Sequence, residues 1–214
     1  MRKRPGRLRP GHRRKSYHHG DLRRALLDAA RELVQTAGAE ALTLRAAARL
    51  AGVSQAAPYR HFADKRTLLA AVAEEGFRAL TEAMRQATAM QSGDPLSRFR
   101  ALGLSYVGFA VDHPAHFRVM FGRETADKAA HPGLREAAEE TFAVLVDALT
   151  ECQRAGLARP GDPAELAISA WAAVHGLSAL LLDGQLGPGA LERVEELARS
   201  VTGVLFLGLG PERP

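Results

Sequence analysis

From Thr43 to Phe62 the chain reads TLRAAARLAGVSQAAPYRHF, two short apolar-periodic segments on either side of Gly52-Val53-Ser54. Thr43 has the side chain of an N-cap, and Leu44, Ala47, Ala48 and Ala51 recur at helical spacing until Gly52 stops them. Ser54 opens a second segment that reaches about His61. Two short helices around a glycine turn form a helix-turn-helix outline, since glycine accepts the positive φ of a sharp reversal and Val53 can plug the apolar angle. In such a unit the second helix lies in the major groove with its N-terminal residues on base edges. Its exposed candidates are Gln55, Ala56, Ala57 and Tyr59: Gln55 can pair bidentately with adenine, and alanine methyls can touch thymine methyls. Thr43, Ser54 and Lys65 stand at helix starts, where free N–H groups and the dipole favour phosphate. Pro58 removes a backbone donor and crowds the preceding turn, so this reading helix is expected to be short or tightened at its start, and whether Ala57 or Tyr59 points at bases stays open. The same outline also fits any three-helix core with a tight turn.

What precedes this unit favours a polyanion. Residues 1–24 hold ten Lys or Arg against one acid, a net of +9 in a chain of +5, which leaves −4 for the remainder. Residues 1–17 combine eight of those basic residues with Pro5, Gly6, Pro10 and Gly11, the composition of an extended arm. Arg13, Arg14 and Lys15 lie within reach of a minor groove beside the reading helix, as in homeodomain-like proteins. The alternative is a solvated tail with no partner.

Elsewhere the pattern is helical. Leu22, Leu26, Leu33 and Ala37 mark an amphipathic helix ended by Gly38, and Asp64 caps a longer one through Leu68, Leu69, Val72, Phe77 and Leu80. Asp94-Pro95 and Asp162-Pro163 each pair a capping carboxylate with proline at the first helical position. A short apolar helix follows Pro114, residues 122–132 read as a loop, a long helix covers about 133–155, and a final one runs from Leu191 to about Leu207. The expectation is an all-α chain of about nine helices: a basic arm at 1–17, a three-helix DNA-binding unit with its connector helix at 18–80, and a helical bundle at 94–210. One cysteine, Cys152, permits no intrachain disulfide, which fits a reducing cytoplasm. No apolar segment follows the basic start as in a signal peptide, and no run of about 18 apolar residues is apparent, so no membrane span is expected.

At this point the order Thr43-Leu44-Arg45, Ala51-Gly52-Val53-Ser54, Tyr59-Arg60-His61-Phe62, Asp64-Lys65 and Leu68-Leu69 resembles the TetR-family DNA-binding domain over about residues 21–69. Tyr17 to Arg23 resembles the start used by a subset of that family, and Trp171 to Leu177 resembles a C-terminal domain type named for its Trp, His and Gly. The resemblance implies an all-helical dimer that binds a palindromic operator, usually as a repressor, and leaves DNA when a small molecule enters the C-terminal domain. It places Arg45 in the DNA-binding motif and Tyr59 and His61 on the reading helix, and it gives Lys65 a phosphate contact. Phe62 reads as core.

The last two helices are the most apolar, and a helix apolar on more than one face must bury more than one. A second copy is the natural partner, through a four-helix interface around a two-fold axis in which Ala167, Ala170, Ala173, Gly176 and Ala179 allow close approach; filling a monomer core is the alternative. Phe109, His113, Phe117, Phe121, Phe142, Trp171 and His175 are candidate pocket residues, although aromatic residues at helical spacing also make plain core. Trp171 and His175, four apart, share a face. No catalytic motif, phosphate loop or metal-ligand set stands out, so no enzyme, cofactor or metal is expected. The rival readings are a non-specific basic DNA-binding protein, a ligand-binding helical-bundle enzyme, and membrane-surface attachment through the arm, which lacks the apolar face this requires.

Overall fold

A computed structural model describes residues 19–209, and Arg13, Arg14 and Lys15 lie outside them. The described residues form eight α-helices: α1 (His19–Ala41), α2 (Leu44–Leu50), α3 (Lys65–Ala89), α4 (Pro95–Asp112), α5 (Pro114–Met120), α6 (Pro132–Arg154), α7 (Pro163–Leu182) and α8 (Val194–Leu209). The ninth expected helix, after Ser54, is instead a turn that closes into a 3-10 helix at Pro58–Arg60. Pro58 has no N–H to offer the Ser54 carbonyl, so that carbonyl accepts from Ala57 N–H at 3.0 Å. Arg60 and His61 then bond to Ala57 and Pro58 at 3.2 and 2.9 Å, the i→i−3 pattern of the tighter helix. Ser54 therefore contributes a backbone bond here rather than a side-chain cap.

The other starts form as their residues dictate. Thr43 Oγ1 accepts from Ala46 N–H at 3.0 Å, Asp64 Oδ1 from Thr67 N–H at 2.7 Å, Asp94 Oδ1 from Ser97 N–H at 3.0 Å and Asp162 Oδ1 from Ala164 N–H at 2.8 Å. α2 ends in a Schellman motif: Val53 N–H reaches Ala48 O (3.0 Å), Gly52 N–H reaches Arg49 O (3.2 Å), and Gly52 sits at φ 69°. Residues 122–132, read as a loop, contain two 3-10 turns, Arg123–Thr125 and Lys128–Ala130.

α3 is the spine of the molecule. It packs on α1 near its start and on α4, α5 and α6 along the rest. One continuous apolar core runs from Leu26 and Val34 in α1, through Leu68, Leu69 and Val72, to Leu102, Val107, Leu149 and Leu181 in the bundle. At Gly76 the absent side chain lets α5 close in: a Cβ there would meet Met120 Sδ at 2.6 Å. α4 lies inside the bundle, touching α3, α6, α7 and α8.

α7 corrects one expectation, for it is long and apolar enough to span a membrane by length and composition. Part of that character faces inward: Leu166, Ala167, Ala170, Val174, Leu177 and Leu181 are buried within this chain. Ala167 and Ala170 are thus core residues here, not surface available to a second copy. Ile168, Leu180, Val204 and Leu207 remain exposed on α7 and α8.

Gly52→Ala forces a side chain into the left-handed region and is expected to cost about 1–2 kcal/mol, read as a lower denaturant midpoint. A variant as stable as the parent would mean that the turn does not need this conformation.

Candidate nucleic-acid interface and ligand cavity

The turn after α2 presents a compact surface. Ser54, Gln55, Ala56 and Tyr59 are exposed, with Tyr59 at 55%, whereas Ala57 is half-buried and Pro58 is inside. The proline therefore aims Tyr59 outward, and Ala57 faces partly inward. Thr43 and Arg45 are exposed at the start of α2, although the Thr43 hydroxyl is occupied as the cap. Phe62 is buried at 2%, with the Arg23 guanidinium 5.7 Å from its ring centre. Arg60, exposed beside Tyr59, is a basic group the sequence reading passed over.

Two residues are placed differently from expectation. His61 is half-buried and its Nε2 is enclosed with no partner. It lines a cleft with Arg31, Glu75 and His116 where α1, α3 and α5 meet. Lys65 is not a free cation: its Nζ donates to Glu124 Oε1 at 2.9 Å and to Glu40 O at 3.4 Å. Fifty-nine positions separate Lys65 from Glu124, so no local pattern announces the pair.

Glu124 belongs to a braced turn. The buried Thr125 hydroxyl bonds to Val119 O and, at 3.1 Å, to Gly122 O. Three residues before Glu124 is Phe121, whose ring stands 4.6 Å from His175, 5.0 Å from Phe117, 5.4 Å from Phe77 and 5.9 Å from Trp171.

Phe121 is also one wall of a cavity of about 110 Å³ between α3, α4, α6 and α7. Phe77, Leu80, Met84, Tyr106, Lys128, Ala138, Thr141, Phe142, Leu145 and Trp171 complete it. Of the seven residues read as pocket candidates, Phe121, Phe142 and Trp171 line this space. Phe117 and His175 stack behind Phe121, 5.1 Å from each other, and Phe109 pairs with the exposed His113 at 4.7 Å away from it, so these four do not line the cavity.

Tyr106 is the residue the reading missed. Its hydroxyl accepts from Trp171 Nε1–H at 3.0 Å and meets His175 Nδ1 at 2.8 Å. The indole can only donate, so the tyrosine oxygen accepts from it, while the bond to His175 is made by the phenol proton or by Nδ1–H according to the imidazole tautomer. Burial pushes the Tyr106 hydroxyl up and His175 down, which keeps both uncharged. The signal was the stripe Phe99, Leu102, Tyr106, Phe109 on the buried face of α4, where a polar-tipped aromatic needs a partner. Thr141 is likewise committed, to Thr81 Oγ1 and to the Ala137 and Phe77 carbonyls at 2.8, 2.8 and 3.2 Å. His113 and His116 have ring centres 6.0 Å apart, and no cluster of three potential metal ligands occurs among the described residues.

Residues 26–72 match the family described as bacterial regulatory proteins, tetR family, and residues 99–205 match the tetracyclin repressor-like C-terminal domain. A Rhodococcus sp. RHA1 protein of unknown function is similar at 38% identity and TM-score 0.78, over 92% of this chain and 99% of that one. A tetR-family bacterial regulatory protein from Rhodococcus RHA1 is similar at 19% identity and TM-score 0.73, over 90% and 98%. The TetR-family regulator PfmR of Thermus thermophilus is similar at 22% and 0.69, over 88% and 99%. No curated protein shows significant similarity to the chain.

The cleft beside the reading turn carries a pH signature. Burial first, then Arg31 and His113, hold His116 at about 4, below its ordinary 6.5. A histidine depressed by folding stabilises fully above its unfolded value, and that stability is lost as pH falls from 6.5 towards 4. His116→Asn is expected to flatten the decline of urea midpoints across this interval. An unchanged slope would show that His116 is not held neutral by the fold.

Proposed function

The chain belongs to the TetR family of bacterial regulatory proteins, and from that premise we propose that it is a cytoplasmic, non-enzymatic repressor that binds a palindromic operator as a homodimer and leaves it when a small molecule enters the α3–α6 cavity. In this reading Gln55, Ala56, Ala57 and Tyr59 meet base edges. Thr43, Arg45, Ser54 and Lys65 meet phosphates, and Arg13, Arg14 and Lys15 enter the adjacent minor groove. The second copy covers Ile168, Leu180, Val204 and Leu207, which water would otherwise wet, and a two-fold axis there matches a palindromic site.

The observation that carries the reading is the short chain of contacts between the two sites. Phe121 forms part of the cavity wall, the braced turn follows it, and Glu124 in that turn holds Lys65 at the start of α3. A molecule that fills the cavity and presses on the Phe121 ring holds Glu124 against Lys65 and keeps that cation from DNA. Two states biased by both sites are what effector release requires.

The test is a selection of bound DNA from a random duplex pool by the full-length protein at physiological salt. A palindrome with half-site centres about 10 base pairs apart, or a multiple, is expected. Gln55→Ala is expected to relax one base position in each half-site. Binding that fades uniformly with salt and enriches no motif would leave only electrostatic DNA coating.

Freeing Lys65 provides an independent check. Glu124→Gln is expected to raise operator affinity about two- to five-fold in an anisotropy titration, the range of a partly exposed ion pair. A loss of affinity would assign the pair to holding the DNA-competent form.

A further inference from the structure

We propose that the α3–α6 cavity selects an unbranched apolar monocarboxylate, with its carboxylate on Lys128 and its hydrocarbon chain between Phe121, Phe142 and Trp171. The proposal rests on the reading of this cavity as the effector site and adds the chemistry of the effector.

The charge pattern of the wall carries the argument. Lys128 is the one charged residue among those lining the cavity. Its ammonium stands 5.7 Å from the centre of the Phe77 ring, and among the described residues no carboxylate lies within ion-pair distance of it. Glu124, nearby in the chain, is taken by Lys65. The other polar groups of the wall are already satisfied: the Tyr106 hydroxyl by Trp171 and His175, and the Thr141 hydroxyl by Thr81 and two carbonyls. A ligand rich in hydroxyls or amides would therefore bury donors and acceptors without partners. An apolar neutral ligand would strip water from Lys128 and leave it only the face of Phe77. A carboxylate restores what that desolvation removes, and a cation is repelled.

The shape of the space sets the rest of the molecule. An engineered protein cavity of about 150 Å³ holds benzene, so about 110 Å³ admits a slightly smaller hydrocarbon body. Behind it lies a second apolar cavity of about 30 Å³, lined in part by Phe99, Leu102, Leu205 and Phe206. Met84, Tyr106, Leu145 and Trp171 belong to both walls. Met84 is unbranched and has three rotatable bonds, so its rotation joins the two spaces into a slot with Lys128 at one end. An open hydrocarbon chain, which can thread past Met84, suits such a slot better than a fused ring.

Trp171, the one tryptophan in the chain, lines both spaces and reports on them directly. Full-length protein is titrated with octanoate, octanamide and octylammonium while tryptophan emission is followed. Octanoate is expected to bind about ten-fold or more tightly than octanamide, and octylammonium is expected not to bind. In Lys128→Met and Lys128→Gln, both with parental helix content by circular dichroism, the preference for acid over amide is expected to vanish while octanamide binds as before. Equal binding of acid and amide by the parent, or a preference that survives both substitutions, overturns the carboxylate assignment and leaves the cavity as a ligand site. No response to any of the three probes overturns the assignment together with the effector reading of the cavity.

Discussion

A single helix has to satisfy two neighbourhoods at once. α3 runs 25 residues without a break, about 37 Å at helical rise, from the Asp64 cap beside the reading turn to Ala89 in the bundle. Its first turns bury Leu68, Leu69 and Val72 in the core shared with α1, and its later ones put Phe77, Leu80 and Met84 on the cavity wall. Between them, Gly76 lets Met120 of α5 lie against the backbone. A helix is stiff along its axis, so the register of the DNA-facing end cannot change independently of the cavity end. The same geometry makes Lys65 and Glu124 neighbours, because the turn after α5 is carried to the start of α3 by their common packing.

The interior is apolar with a few fully paired exceptions. Thr81 and Thr141 bond to each other, Ser178 and Thr202 return their hydroxyls to carbonyls one turn back, and Tyr106 joins Trp171 to His175. Each arrangement removes a buried unsatisfied group. The Tyr106 junction does more, since it ties α4 to α7 at one point and holds the indole and imidazole rings at fixed angles around Phe121. The polar atoms enclosed without partners are concentrated elsewhere: Arg31 Nε, His61 Nε2 and His116 Nε2 all belong to residues of the cleft between the reading unit and the bundle. Ser105 Oγ of α4 is the exception within the bundle, and Glu124 Oε2 lies in the turn after α5, so the junction holds three of the five such atoms among the described residues.

Local chemistry explains how much of this was readable from the sequence. Capping residues with proline or glycine at fixed offsets act within one turn, so Thr43, Asp64, Asp94-Pro95, Asp162-Pro163 and Gly52 placed the helix ends correctly. Phe62 as core and Val53 as a partly buried plug followed from the same reasoning. Pro58 was seen as a disturbance, but its full effect, a 3-10 turn in place of an α-helix, depends on which carbonyl loses its donor. Cavity residues were harder because aromatic spacing alone does not separate a wall from the packing behind it. Phe121, Phe142 and Trp171 line the space, while Phe109, His113, Phe117 and His175 sit behind or away from it. Tyr106 and Lys128 drew no attention because their meaning comes from residues far away in the chain. The Lys65–Glu124 pair was invisible for the same reason, and the buried side of α7 took up two alanines expected at an interface.

Pro58 has a further consequence, one of entropy. A reading element built as an α-helix of two turns can fray at its ends and must be ordered on contact with a partner. Here the segment holds a proline with fixed φ, flanked by i→i−3 bonds and anchored by its own buried ring. Its backbone has few alternative shapes in the unbound protein, so little conformational freedom is left to lose when a duplex arrives. In the proposed reading, where Gln55, Ala56 and Tyr59 meet base edges, such a surface discriminates by fit and not by adjustment, because a groove that does not match them as they stand cannot induce a better arrangement. On that reading, the rigidity that shortens the segment narrows the set of sites it tolerates.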